Sequence, residues 1–182
     1  MSPSAPVLGL PRWPVEPEPV DPTGASYLVL CLGRDPRAAD VAAEWAAEAE
    51  RIAPTRLLSV DGIDRDRPKV DVALHAARTG VRVLVAGEQY DVLLTLALAR
   101  EYGAAPTELQ CFVVDAVPGH TTGHTTGLPV YCAHCRWTYR MVGAPCGETT
   151  CPGCDRHLEI HPHHSALRGS FLASDARARE LA

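Results

Sequence analysis

Two Cys-x-x-Cys pairs constrain this chain more than any other feature. Cys132-Ala-His-Cys135 and Cys151-Pro-Gly-Cys154 are separated by 15 residues. Each pair fits a tight turn that aims two sulfurs at one point, and two such turns complete a tetrahedral site. Cys132, Cys135, Cys151 and Cys154 are therefore the predicted metal ligands. Between the pairs, Arg136 to Val142 is rich in strand formers, Gly143 offers a turn, and Pro145 to Thr150 leads back to the second pair. A module of about thirty to forty residues buries too little apolar surface to fold unaided and needs a staple. A structural zinc supplies on the order of 10–16 kcal/mol of apparent binding energy, enough to offset the ordering of such a segment.

The paired knuckles resemble those of rubredoxins and zinc ribbons. Zn2+ is the expected ion, with a mononuclear Fe as the alternative, because a tetrathiolate accepts both. Zinc makes the site a scaffold and iron makes it an electron carrier. Two features favour zinc. Arg136 and Asp155 follow the knuckles where rubredoxins usually place glycine, and the loop between the knuckles is shorter than in free-standing rubredoxins.

The remaining composition fits one ordinary domain joined to this module: 182 residues, 46% hydrophobic, formal charge −5. No run is long enough to span a bilayer, and Met1 to Asp21 lacks the layout of a signal peptide. Seven cysteines, four of them in knuckles, fit a reducing cytoplasm. Cys31, Cys111 and Cys146 are expected to be buried structural thiols, with Cys146 also a fifth candidate ligand outside the knuckles. Residues 1–115 carry 11 Lys/Arg against 17 Asp/Glu, whereas residues 116–182 carry 6 against 5 and seven of the eight histidines. A nucleic-acid ribbon would show a basic face. Arg136, Arg140 and Arg156 are instead expected to balance the two excess negative charges of a divalent tetrathiolate, so nucleic acid is a poor fit.

Residues 1–25 are an extended, acidic arm, with seven prolines by Pro22; it is either a solvated tail or, anchored by Trp13, a strap around a partner. Residues 26–115 alternate strands and helices. Strands are predicted at Tyr27–Leu32, Arg56–Val60, Val81–Ala86 and Leu109–Val114. The first helix starts at Asp35-Pro36 and stops before Pro54; the second, after a polar turn at Asp61–Arg67, runs from Pro68 to Arg78. The third runs from Gly87-Glu88 to about Tyr102 and is apolar almost all round at Val92–Ala99, so the fold or a partner covers it. Residues 116–129, with the repeat His120-Thr-Thr-Gly123 and His124-Thr-Thr-Gly127, form a linker, 130–173 the ribbon and 174–182 a tail.

The stretch Val81 to Val114 resembles the closing part of the nicotinamide-binding half of ferredoxin reductases. After the first strand, however, Cys31-Leu-Gly33-Arg-Asp35-Pro36 has one glycine and an acidic side chain where a pyrophosphate needs several glycines. No NAD or flavin is expected on this chain. The predicted fold class is α/β: a small parallel-sheet domain, like a degenerate ferredoxin-reductase nucleotide domain, followed by a C-terminal rubredoxin-like zinc ribbon.

After the knuckles, His157 to His161 reads as a closing strand, and His161, His163 and His164 form a second histidine cluster around Pro162. The cluster is read as surface polar groups or as a second metal or haem contact. Within the first knuckle, the His134 imidazole is a candidate donor to a sulfur. The order α/β domain, linker, Tyr131-Cys-Ala-His-Cys135 … Cys151-Pro-Gly-Cys154 and His163-His164-Ser165 … Gly169-Ser-Phe-Leu172 resembles the small accessory subunit of bacterial dimethylamine monooxygenase. That resemblance implies partners: a haem-containing oxygenase subunit and a flavin/iron–sulfur reductase subunit, which this chain would join. It implies the four knuckle cysteines as metal ligands; the residues themselves offer no nucleophile–base–acid set, so no catalytic residue is expected here. No serine sits in a strained glycine elbow, and the acidic residues lie mainly on solvated helix faces.

Overall fold

The computed structural model describes residues 10–115 and 127–181. Its first half is β1 (Ser26–Leu32), α1 (Pro36–Glu50), β2 (Thr55–Val60), α2 (Ile63–His75), β3 (Val81–Gly87), α3 (Gln89–Glu101) and β4 (Leu109–Val113). The four strands are all parallel in the order β2-β1-β3-β4. Side chains alternate across the sheet, as the pleat requires. Leu28, Leu30, Leu32, Val83 and Val85 meet α2 and α3, while Val29, Cys31, Leu84 and Ala86 meet α1. That double burial is why these strands read as continuous apolar runs.

Asp35 caps α1 as its position before Pro36 implies, accepting from the Arg37 N–H at 2.8 Å. The second helix departs from the sequence expectation. It begins at Ile63, five residues before Pro68, and ends at His75, short of Arg78. The early start has a distant cause: the Asp91 carboxylate, on α3, accepts from the Ile63 N–H at 2.8 Å. A kink at Asp66 (φ −108, ψ 16) then accommodates Pro68, with the Asp66 carboxylate turned back onto the Asp61 N–H at 2.9 Å.

The second half is a five-stranded sheet of β5 (Gly127–Cys132), β6 (Thr138–Val142), β7 (Glu148–Thr150), β8 (His157–Ser165) and β9 (Ser170–Asp175), ordered β6-β5-β9-β8-β7. It takes in Leu128 and Pro129, which composition groups with the linker, and extends past residue 173 to Asp175. Pro129 fits because β5 pairs with β9 only from Val130 onward, so no ladder bond needs its missing N–H on that side. Pro162 fits likewise, at a register shift between Ile160 and His164. The tandem His-Thr-Thr-Gly repeat, apart from Gly127, lies outside the described residues.

Helix α3 joins the halves, and the fold itself covers it. Ten of its 13 residues are buried. Val92, Leu96 and Leu98 belong to the core of the parallel sheet, and Leu93 to the core of the ribbon sheet. Gly169, at φ +64, lies so close that a Cβ there would stand 2.5 Å from the Leu93 carbonyl oxygen. Arg140 of β6 stacks 3.8 Å over the Tyr90 ring and donates to the Asp91 carboxylate at 3.1 Å. Asp91, 4% exposed, thus ties the start of α2, helix α3 and the ribbon together.

The arm binds its own chain. Trp13 donates its indole N–H to the Gln89 side chain at 3.1 Å and packs against both cores. The Glu18 carbonyl accepts from Trp45 at 2.9 Å and from Gln110 at 2.7 Å, and Val20 is buried beside α1. Asp21 meets Arg82 at 2.6 Å. These contacts pack Trp13, partly buried, against the chain's own two cores.

Replacing Asp91 by Ala leaves the Ile63 N–H and the Arg140 guanidinium without their shared acceptor. We expect a loss of about 2–4 kcal/mol in urea unfolding of the metal-loaded protein, against under about 1 kcal/mol for the exposed pair partner Glu88→Ala.

Candidate metal centre

Each knuckle is built twice over the same plan. The Arg136 N–H donates to the Cys132 carbonyl and the Asp155 N–H to the Cys151 carbonyl, both at 2.9 Å. The Cys132 N–H reaches the Trp137 carbonyl and the Cys151 N–H the Arg156 carbonyl, again both at 2.9 Å. Arg136 (φ 63) and Asp155 (φ 55) both take the left-handed conformation. The positions where rubredoxins carry glycine therefore have the glycine-favoured backbone without the glycine, at a strain of roughly 1–2 kcal/mol each. Their side chains do not separate zinc from iron, because the turn that aims the sulfurs is the same.

The four sulfurs converge. Cys132 Sγ lies 3.8 Å from Cys154 Sγ, Cys135 Sγ lies 3.6 Å from Cys151 Sγ, and all four fall within 4.8 Å of one another. Zinc–sulfur bonds of about 2.3 Å in a tetrahedron set the sulfurs about 3.8 Å apart, so the spacing suits one ion. All four cysteines are free of disulfides. Cys132 and Cys151 are fully buried at the base, under Leu158, Ile160 and Tyr139, while Cys135 and Cys154 are partly exposed.

Backbone amides are already aimed at the sulfurs. Burial raises the Cys132 thiol, but N–H donation from Cys135 and His134, with the neighbouring thiols, outweighs it and leaves the group lowered. At Cys151 burial prevails and pushes the thiol up to about 12, against donation from Gly153 and Cys154. A divalent cation held by Cys132, Cys135, Cys151 and Cys154 would supply compensating positive charge and displace the thiol protons. His134 contributes through its backbone, and its side chain is exposed.

The other expected participants lie elsewhere. Cys31 is buried and Cys111 half-buried on their strands, but Cys146 is exposed, in a turn at φ 70, and is not among the four clustered sulfurs. Arg140 is held by Asp91 and Glu88, and Arg156 by Asp175 at 2.6 Å, so neither is free to balance the thiolates. The histidines are dispersed. His161 bonds the Ser174 hydroxyl at 2.7 Å, His163 is exposed, and His164 stacks 5.3 Å from Phe171 on the inner face. Burial, with Arg100 nearby, brings the His164 imidazole down to about 4, keeping it neutral at physiological pH. The sequence did not reveal Asp91 as the hinge of the assembly, because its partners Ile63 and Arg140 are remote along the chain.

Fold and site together define a two-part α/β protein with a tetrathiolate ribbon packed on its third helix. Residues 129–173 match the family model described as dimethylamine monooxygenase subunit DmmA-like, C-terminal domain. No curated protein matches the chain significantly. Among solved structures, a phthalate dioxygenase reductase, described as a modular structure for electron transfer from pyridine nucleotides to [2Fe-2S], aligns at 12% identity with a TM-score of 0.38. The match covers 69% of this chain and 46% of the reductase, so the chain spans less than half of that protein's length, and so slight a likeness bears neither on fold nor on function. No helix among the described residues is long and apolar enough to cross a membrane.

Serine at any one of the four knuckle cysteines should release the ion to a chelator at least tenfold faster than in the parent chain, whereas Cys146→Ser should leave retention unchanged; a chromogenic chelator reads both. Because protons compete for thiolates, retention should fall as pH falls and recover when it is raised. Arg136→Gly and Asp155→Gly should each raise the stability of the metal-loaded protein by about 0.5–1 kcal/mol, and Asp155→Val should lower it by about 1–2 kcal/mol, in thermal melts.

Proposed function

We propose that the chain is a non-catalytic, metal-binding subunit of an oxidative N-demethylase of the dimethylamine monooxygenase type. In this reading a zinc ion at Cys132, Cys135, Cys151 and Cys154 fixes the ribbon, and ribbon and α/β domain together dock a haem-containing oxygenase subunit and a flavin/iron–sulfur reductase subunit in the cytoplasm. The observation that carries it is the coincidence of two facts: four sulfurs at tetrahedral spacing, and a family match over the same segment. The bound ion supplies positive charge and geometry, and the chain's own amides orient the sulfurs.

The α/β domain is read as carrying no nucleotide or flavin. Phosphates favour helix N-termini. Here aspartates hold all three: Asp35 takes the Arg37 N–H, Asp91 the Ile63 N–H, and Asp115 the Gln89 N–H at 2.9 Å. Three carboxylates at those positions repel a pyrophosphate.

A second reading, an iron electron carrier in the same complex, is favoured by the outer edge of the centre. Cys135 and Cys154 are partly exposed, and Trp137, half-exposed, packs so closely on Gly153 that a Cβ there would stand 2.6 Å from its ring. Such an edge would serve electron entry. Metal analysis and visible spectra of anaerobically purified chain separate the two: one zinc and no colour for the scaffold, a red form bleached by dithionite for the carrier. Co-expressed with the haem and reductase subunits, the tagged chain is expected to elute with haem and flavin absorbance. A chain without metal, eluting alone, overturns both readings.

A further inference from the structure

The outer face of the ribbon sheet holds a pocket that the metal centre does not use. Along β9 the side chains of Phe171 and Ala173 enter the core, so Ser170 and Leu172 share the opposite face. Tyr131 of β5 pairs in register with Leu172, and Ser165 of β8 with Ser170, which brings all four to one patch. His163 joins them two residues before Ser165. Together with Arg168 they line a cavity of about 200 Å³.

Three features of this pocket call for a ligand. The Arg168 guanidinium lies 4.4 Å over the Tyr131 ring and has no carboxylate partner among the described residues. Ser170 is 1% exposed, yet its hydroxyl has no hydrogen-bond partner there. A buried hydroxyl left unsatisfied is unfavourable by about 1–3 kcal/mol, so a polar atom arriving beside it gains more than on open surface. The lining is mixed: a guanidinium, two hydroxyls and an imidazole stand beside the Tyr131 ring and Leu172.

We infer that this pocket binds a small organic monocarboxylate. The carboxylate meets the planar fork of Arg168 and the Ser170 and Ser165 hydroxyls, and its hydrocarbon body lies along Leu172 and the part of the Tyr131 ring that Arg168 leaves uncovered. A cavity of about 150 Å³ takes a benzene ring, so about 200 Å³ accommodates an acid of benzoate size. One fixed positive charge matches a monoanion better than a phosphate dianion, and the apolar wall has no use for inorganic phosphate. The site stands apart from the proposed subunit role, and neither depends on the other.

The test uses the metal-loaded full chain, isotope-labelled for amide NMR and titrated with benzoate, butyrate, inorganic phosphate and benzylamine. Benzoate and butyrate are expected to give saturable shifts at Tyr131, His163, Ser165, Arg168, Ser170 and Leu172, with benzoate the tighter. Phosphate and benzylamine are expected to give at least tenfold weaker binding. Arg168→Gln, an exposed position that leaves the fold intact, should weaken benzoate at least tenfold, Arg168→Lys should restore part of it, and Ser170→Ala should weaken it severalfold without loss of stability. Phosphate binding as tightly as benzoate, shifts that Arg168→Gln leaves unchanged, or no saturable shift in these six residues overturns the inference.

Discussion

Four thiols held within tetrahedral distance are a demand for positive charge, and the second half of the chain is arranged to meet it. The sulfurs converge because both knuckles close with the same pair of backbone hydrogen bonds. They stay converged because Leu158, Ile160, Phe171 and Tyr139 pack beneath them. An ion held there would complement this apolar floor, the floor excluding water from the two inner sulfurs and the ion tying the β5–β6 turn to the β7–β8 turn. Strain at Arg136 and Asp155 is tolerable because metal–sulfur bonding is much the larger quantity.

The same charge logic recurs at α3, here with a carboxylate at the centre. Asp91 is buried and satisfied from two directions, by a backbone N–H of one domain and a guanidinium of the other. The helix around it has no solvent face to speak of, since each side belongs to a different core. Its weak amphipathicity follows directly. The ribbon and the α/β domain are consequently packed together through α3.

How much of this was legible in the residues depends on how local each cause is. The convergence of the four cysteines was legible because a Cys-x-x-Cys turn is specified within four residues. The central strands β1 and β3 were legible because burial on both faces writes a nearly unbroken apolar run, and α1 because Asp35 and Pro36 mark its start. The start of α2 was not, since its cap comes from Asp91 on another helix, and Pro68 drew the boundary too late. The two strand prolines, Pro129 and Pro162, misled for a related reason: whether a missing N–H matters depends on the neighbouring strand. Sequence alone offers Arg140 and Arg156 as charge balance for the thiolates, but nearer carboxylates claim them. The apolar, strand-like stretches nearby imply burial of Cys146, but a turn puts it outside.

The course of the proline-rich arm has a consequence for solubility. Strand β4 is the outer strand of the parallel sheet on its side, and an open strand edge invites pairing with another chain. The arm passes beside it, its Glu18 and Pro19 carbonyls taking the Gln110 side chain of β4 while Val20 seals against α1. Pro17, Pro19 and Pro22 lack the N–H that a further strand would need, so the covering segment offers little template of its own. The sequence bias that marks this stretch as irregular thus also makes it a non-propagating guard against edge-to-edge aggregation.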